Sequence, residues 1–445
     1  MSQPHRPLPD VAQLQGAVQA LLPWMVQTLS ELVAAPSLSG AEQPAVEVFE
    51  AQLRALGLVP ERIRLDSRQL EGLPLFSCPC DPDGGRDNLL ARHLPPGHDD
   101  DAEDRPRGRS LLFNGHLDVV PAGPEALWQH PPFEPRVVDG WLQGRGAGDM
   151  KGGLVCALAA YKALADLGWQ PAGIVGFNAV VDEENTGNGT LATVHALRQS
   201  LARARLTDFD AVIIPEPFGE TLMRAQVGVL WLQATLTGRP AHVGYMRSGL
   251  NPIEAAYEVL QDLRRLQQAW NEPQARPPEF RDVAQPININ LGRIEGGEWT
   301  SSVPCTCTLH LRVGFYPGQD PADVRQQVEE RIRACAARLD DGLRVQFGRA
   351  GFQAPGCVYD LDSPPLQALA QAHAEVHGRP PETLACTATT DGRHFALGTD
   401  LPVTNYGPVA RAIHGLDEAV ELASMQRVAT VMARHIQTWC GLVAR

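Results

Sequence analysis

Apolar residues recur at helical spacing from residue 11 to about residue 56, with a break near residues 36–40 where Pro and Gly interrupt the pattern. From residue 111 to 217 the rhythm becomes short apolar runs separated by helical stretches. The run LLFNG (111–115) reads as a buried strand, and the segment GRGAGDMKGGLVCALAAYKALADLG (144–168) sets Asp149 just ahead of an apolar helix that stops at Gly168. IVGFNAVVDEE (174–184) is a β-branched run ending in Glu183 and Glu184. A helix over about 190–201 follows, and then AVIIPEP (211–217), a short strand ending in Glu216. Strands that alternate with helices predict an α/β fold, a mostly parallel sheet covered by helices. Between residues 227 and 350 the order changes to strand 229–236, helix 251–270, strands 287–294 and 305–314, helix 322–339 and strand 342–348. That βαββαβ sequence predicts a ferredoxin-like unit. We therefore expect one domain built from residues 1–226 and 351–445, with a second, 227–350, inserted into it. Beyond the insertion come a helix at 363–377, TATTDGRHF, the strand LPVTNYGP and AIHGLDEAV. Residues 77–109, with their Pro, Gly and acid run 99–101, read as a surface insertion, and residues 1–10 as a frayed, Pro-rich start.

A length of 445 residues agrees with two domains. The formal charge of −14 argues against nucleic acid or an anionic membrane as partner. A small anionic substrate remains compatible with it, because local arginines decide that interaction. The first thirty residues lack a charged-then-apolar signal pattern and no 18-residue uncharged apolar run follows, so a cytoplasmic protein is expected. The nine cysteines are scattered without a CxxC pair, and the CxC pairs Cys78/Cys80 and Cys305/Cys307 read as structural. No GxGxxG precedes a helix, and Gly296–Gly297 reads as a turn, which removes nucleotide binding from consideration.

Candidate chemistry collects at strand ends. In an extended segment residues two apart share a face, so Asp118 is placed to accept one ring N–H of His116 and leave the other nitrogen for a metal. Alone, a strand-end histidine is more often merely hydrogen-bonded. Here Glu183, Glu184 and Glu216 also occur at strand ends and Asp149 at a helix start, and ligands of such sheets gather beyond the carboxyl ends of the strands. Two histidines, a central aspartate and three glutamates form a set suited to zinc. With one shared carboxylate the set has room for two metals roughly 3.5–4 Å apart. Two adjacent glutamates do not easily reach one metal, so one of them stays free as a base.

The pieces GHLDVVP, GRGAGDMKGG, DEENTG, IPEP, GRPAHVG, TTDGRH and AIHGLDE, in this order over about residues 111–420, resemble a known family. It is the zinc-dependent amidohydrolases and exopeptidases of the acetylornithine deacetylase, succinyl-diaminopimelate desuccinylase, aminoacylase and carboxypeptidase G2 type. The resemblance implies two Zn2+ per chain, with Co2+ able to substitute. It places His116 and Glu216 on one zinc, Glu184 and His414 on the other, and Asp149 between them. It also implies Asp118 as the orienter of His116, Glu183 as the free base and Arg393 as the donor to a substrate α-carboxylate, to which Arg312 adds. The insertion would be a lid that mediates homodimerisation, so that His242 reaches the partner's site. The implied activity is hydrolysis of an N-acyl amino acid or short peptide. DEENTGNGT and IEGGEW look closest to the acetylornithine-deacetylase-like deacylases. Dipeptidases, carboxypeptidases, desuccinylases and amino-pyrimidine deformylases share the metal centre, and a catalytically silent scaffold on the same fold would lack ligands that are present here. His130, His195, His310, His373, His377 and His435 lack motif context and read as structural, as do the tryptophans.

Overall fold

A computed structural model describes residues 6–79, 85–98, 108–348 and 351–445. Its centre is a six-stranded sheet made of β1 (Glu61–Arg64), β2 (Asp87–His93), β3 (Leu111–His116), β4 (Val175–Val180), β5 (Val212–Ile214) and β6 (Val403–Asn405), in the order β1-β2-β4-β3-β5-β6. β4, β3, β5 and β6 run parallel, while β1 and β2 close one edge antiparallel. The apolar runs alternate between two cores, as period-2 geometry demands. Leu111, Phe113, Phe177 and Ile213 join one cluster, with the helices Val11–Ala20, Leu22–Ala34, Gly152–Asp166 and Leu422–His435. Leu112, Val212 and Ile214 join the other, with Val194 and Leu197 of the helix Asn188–Arg198.

One expectation is corrected. Residues 77–109 are not simply a surface insertion, because β2 lies within them, pairs with β4 and is buried along almost its whole length. Its apolar core, Leu89–Leu90–Ala91, is only three residues long and lies among Pro, Gly and acid, so composition masked it. The acid run 99–101 and Cys80 fall outside the described residues.

The chain leaves β3 for β4 on one side, then crosses to β5 on the other side of β3. That reversal of direction makes β3 a topological switch point, where open parallel sheets form their ligand crevice. A separate five-stranded antiparallel sheet comprises Arg344–Phe347, Gly228–Thr237, Thr306–Phe315 and Ile289–Gly296 in that spatial order, with Gln353–Ala354 also paired to Gly228–Thr237. One face of it, with Leu232, Leu309 and Val313, packs with the helices Pro252–Trp270 and Pro321–Leu339 in a core of its own. A further small sheet pairs Trp141–Gln143 with Ala419–Glu421, which brings the segment before Asp149 against the segment after His414. Among the described residues no helix is long and apolar enough to cross a membrane.

Candidate metal centre

The strand ends deliver their polar residues to one rim. His116 closes β3 opposite Val180 of β4, so the turn that follows β4 brings Glu183 and Glu184 beside it. β5 runs parallel on the other side of β3 and is followed by Pro215 and Glu216. The helix carrying Gly153 approaches this strand so closely that a Cβ there would sit 1.8 Å from the Pro215 carbonyl oxygen, which only glycine permits.

Asp149 precedes that helix on a loop fixed by Glu418, a residue that no spacing pattern singles out. Glu418 Oε1 accepts the amides of Gly146, Gly148 and Asp149 at 3.1, 3.0 and 3.0 Å, and Oε2 accepts Arg145 Nη1 at 2.5 Å. Glu418 is fully buried, four residues beyond His414, so one short segment supplies both a candidate ligand and the clamp on another.

Two donor groups result. His116, Asp149 and Glu216 present donor atoms within 4.8 Å of one another, and so do Asp149, Glu184 and His414. His116 Nε2 stands 3.2 Å from Asp149 Oδ1 and 3.7 Å from Glu216 Oε1. His414 Nε2 stands 3.2 Å from Asp149 Oδ2 and 3.1 Å from Glu184 Oε1. Asp149 thus turns one carboxylate oxygen to each histidine. His116 and Glu216 are buried and Asp149 and Glu184 partly so, whereas the His414 side chain is 51% exposed and marks the solvent side.

Protonation reports the same crowding. Burial pushes the carboxyls of Glu183, Glu184 and Glu216 up, reinforced by Asp391 for Glu183 and by Asp149 for the other two. The Asp149 hydrogen bond, then that of Glu184, lifts His414 to about 11. Burial opposes the charged form of His116, but Asp149, Glu216, Asp118 and Glu183 outweigh it and raise its pKa well above the ordinary value. Protons on both imidazoles are held where divalent cations would balance the same acids. The set is all nitrogen and oxygen, with no thiolate among the two groups, and this donor chemistry fits a pair of hard-to-borderline divalent ions.

Other expected residues fall as follows. His116 Nδ1 meets the main-chain carbonyl of Asp118 at 2.9 Å, while the Asp118 carboxylate is 3.8 Å away. That carboxylate instead accepts the amides of Glu183 and Glu184 at 3.2 and 3.0 Å. Asp118 therefore orients the ring through its backbone and the Glu–Glu turn through its side chain, a correction to the side-chain pairing deduced from strand spacing. Arg393 is 0% exposed, with Nη1 and Nη2 donating to the carbonyls of Thr390 and Thr186 at 2.8 and 3.1 Å. Arg312 Nη2 donates to the Thr387 carbonyl at 2.9 Å, on the same loop. His242 is exposed on a two-residue ribbon, its Nδ1 accepting the Gly244 amide at 3.1 Å, and none of its hydrogen bonds within the chain reaches the cluster. Asp391, buried and bonded by the Thr190 hydroxyl at 2.6 Å, is a further acid beside the site that spacing did not identify.

Comparison with known proteins agrees with this geometry. Residues 112–438 match the model of peptidase family M20/M25/M40. A succinyl-diaminopimelate desuccinylase of Maricaulis maris (strain MCS10) is 29% identical over 422 residues, which is 91% of this chain and 93% of that protein. The dipeptidase Dug1p of Saccharomyces cerevisiae shares the fold with a TM-score of 0.77 at 16% identity, over 97% of this chain and 98% of that one. A dinuclear metal-binding peptidase of Bacillus subtilis does so at 0.58 and 14%, over 95% and 99%. With its match to the family model spanning well over half its length, and with two donor groups joined at Asp149, this chain belongs to peptidase family M20/M25/M40, hydrolases of amide and peptide bonds.

Proposed function

We propose that the protein hydrolyses the amide bond of an N-acyl amino acid with two zinc ions per chain, replaceable by cobalt. The observation that carries this reading is the pair of donor groups sharing Asp149, with Glu183 buried beside them. His116 and Glu216 would hold one cation, Glu184 and His414 the other, and Asp149 both. Cations in these places supply Lewis acidity to the scissile carbonyl and acidify the attacking water. Glu183, its turn fixed by Asp118, takes the proton of that water and passes it to the departing amine. The high proton affinity that burial gives this carboxyl suits the acceptor role.

Arg312 and Arg393, both facing the loop at 387–390, are the cationic groups we assign to the substrate carboxylate, a bidentate role for which guanidinium is shaped. Binding would exchange their carbonyl partners for that carboxylate. We assign residues 227–350 as an inserted ferredoxin-like lid and dimerisation domain, and residues 1–226 with 351–445 as the catalytic domain. In a homodimer His242 of a second copy would stabilise the oxyanion. We expect the enzyme in the cytoplasm.

Within this class we favour a deacylase of the acetylornithine-deacetylase type. The desuccinylase relative supports an N-acyl substrate, and a succinyl group is the nearest alternative acyl chain. The dipeptidase likeness keeps a dipeptide as the second reading. Hydrolysis assays with N-acetyl, N-formyl and N-succinyl amino acids and with dipeptides, with zinc or cobalt added, separate these. Turnover confined to dipeptides would overturn the deacylase reading.

A further inference from the structure

Arg86 lies just ahead of β2 and is 5% exposed. Its Nη2 donates to Asp182 Oδ1 at 2.6 Å and to Glu42 Oε1 at 2.5 Å, and its Nε to Glu42 Oε2 at 3.2 Å. One buried cation thus joins the loop before the helix Gln43–Ala55 to the residue that immediately precedes Glu183.

Asp182 closes the catalytic turn on itself. It adopts φ +68°, a left-handed conformation that aspartate tolerates better than most residues. Its carbonyl accepts the amides of Thr186 and Gly187 at 3.0 and 2.7 Å. Its carboxylate accepts the Thr186 hydroxyl, and Asn185 Nδ2 at 3.2 Å. Asp118 holds the same turn through the amides of Glu183 and Glu184. The other donors to the Asp182 carboxylate among the described residues, the Ser39 and Thr186 hydroxyls and the Asn185 amide, are neutral, so Arg86 is the charged anchor of this arrangement. Lysine at position 86 would keep the charge but lose the forked geometry that serves two carboxylates at once.

We propose that Arg86 is a positioning residue for Glu183, acting through Asp182 to fix the rotation of the 182–187 turn and thereby the aim of the Glu183 carboxylate. This rests on Glu183 being the base. A fold staple of no mechanistic consequence would show itself differently, because all its effects would spread through β2 and β4.

Hydrogen exchange on the metal-free Arg86→Lys protein provides the test. Amides of 182–187 should exchange at least about tenfold faster while those of β3 and β4 keep their protection. A uniform increase along the sheet, or no change in the turn, would overturn the proposal. With zinc restored, kcat on N-acetyl-L-ornithine or N-succinyl-diaminopimelate should fall about 10- to 100-fold at nearly constant KM. A folded variant with two bound metals and unchanged kcat would overturn it too. Should Arg86→Lys fail to fold, Asp182→Asn carries the same expectations. In the Glu183→Gln background Arg86→Lys should cost nothing further. Near-normal turnover by Glu183→Gln alone would instead remove the base reading on which the proposal stands, a failure distinct from that of Arg86.

Discussion

Glu183 and Glu184 are chain neighbours held by one aspartate, yet only Glu184 reaches a histidine of the cluster, at 3.1 Å. Glu183→Gln should therefore keep two metals per chain, by elemental analysis, and lose about 10²- to 10⁴-fold in kcat. Retained turnover would exclude it as the base. A second residue-scale consequence concerns pH. His435 is fully buried with neither ring nitrogen hydrogen-bonded among the described residues, and burial pushes it down to about 3. The folded state then binds fewer protons than the unfolded chain between about pH 6.5 and 3. Its contribution is fully present above that window and is lost as pH falls through it, by up to about 1.4 kcal/mol per pH unit. Urea midpoints of the metal-free protein between pH 7 and 4.5 should fall more steeply than those of His435→Leu. Parallel curves would show that His435 is not buried as the neutral form.

At the scale of elements, legibility followed the origin of each signal. β3, β4, β5 and the helix Gly152–Asp166 could be read because an apolar run ends abruptly in a charged or imidazole group. Glu418, Asp182 and Arg86 could not, since the contacts that define them, Glu418 with Arg145 and the amides of 146–149 and Arg86 with Glu42 and Asp182, join positions 44 to 273 apart, and no local pattern encodes such pairings. The partners of the Asp118 side chain escape strand periodicity for a related reason. Strand periodicity puts it on the same face as His116, but the turn after β4 offers two amide donors that a carboxylate prefers to one ring nitrogen. The close approach of the helix Gly152–Asp166 to Pro215 has its own test. Gly153→Ala forces these two elements apart, so it should cost at least about 1–3 kcal/mol of stability and weaken metal retention near Glu216, read by thermal midpoint and zinc content. An unchanged midpoint and zinc content would contradict the packing described.

The whole molecule combines a sheet that builds one rim with a second sheet that has a hydrophobic cluster of its own. His242 is exposed on the ribbon that pairs it with Ser302, beside Val243, Tyr245 and Met246, which are 46%, 75% and 53% exposed. Such an apolar surround is costly to leave in water and agrees with the proposed dimer. If His242 acts on the site of a second copy, mixing inactive His242→Ala with inactive Glu183→Gln should restore activity. Random exchange gives hybrid dimers with one intact site, about a quarter of the wild-type rate. No recovery after verified subunit exchange would show that His242 does not act across subunits, and a fully active His242→Ala would place it outside the mechanism.

Whether Asp149 serves two cations is read directly by equilibrium zinc titration of the metal-free chain alongside Asp149→Asn. Two zinc ions per wild-type chain, with affinity lost at both positions in Asp149→Asn, is the predicted result. A single ion per chain, or an Asp149→Asn variant that still binds two with unchanged affinity, would contradict it.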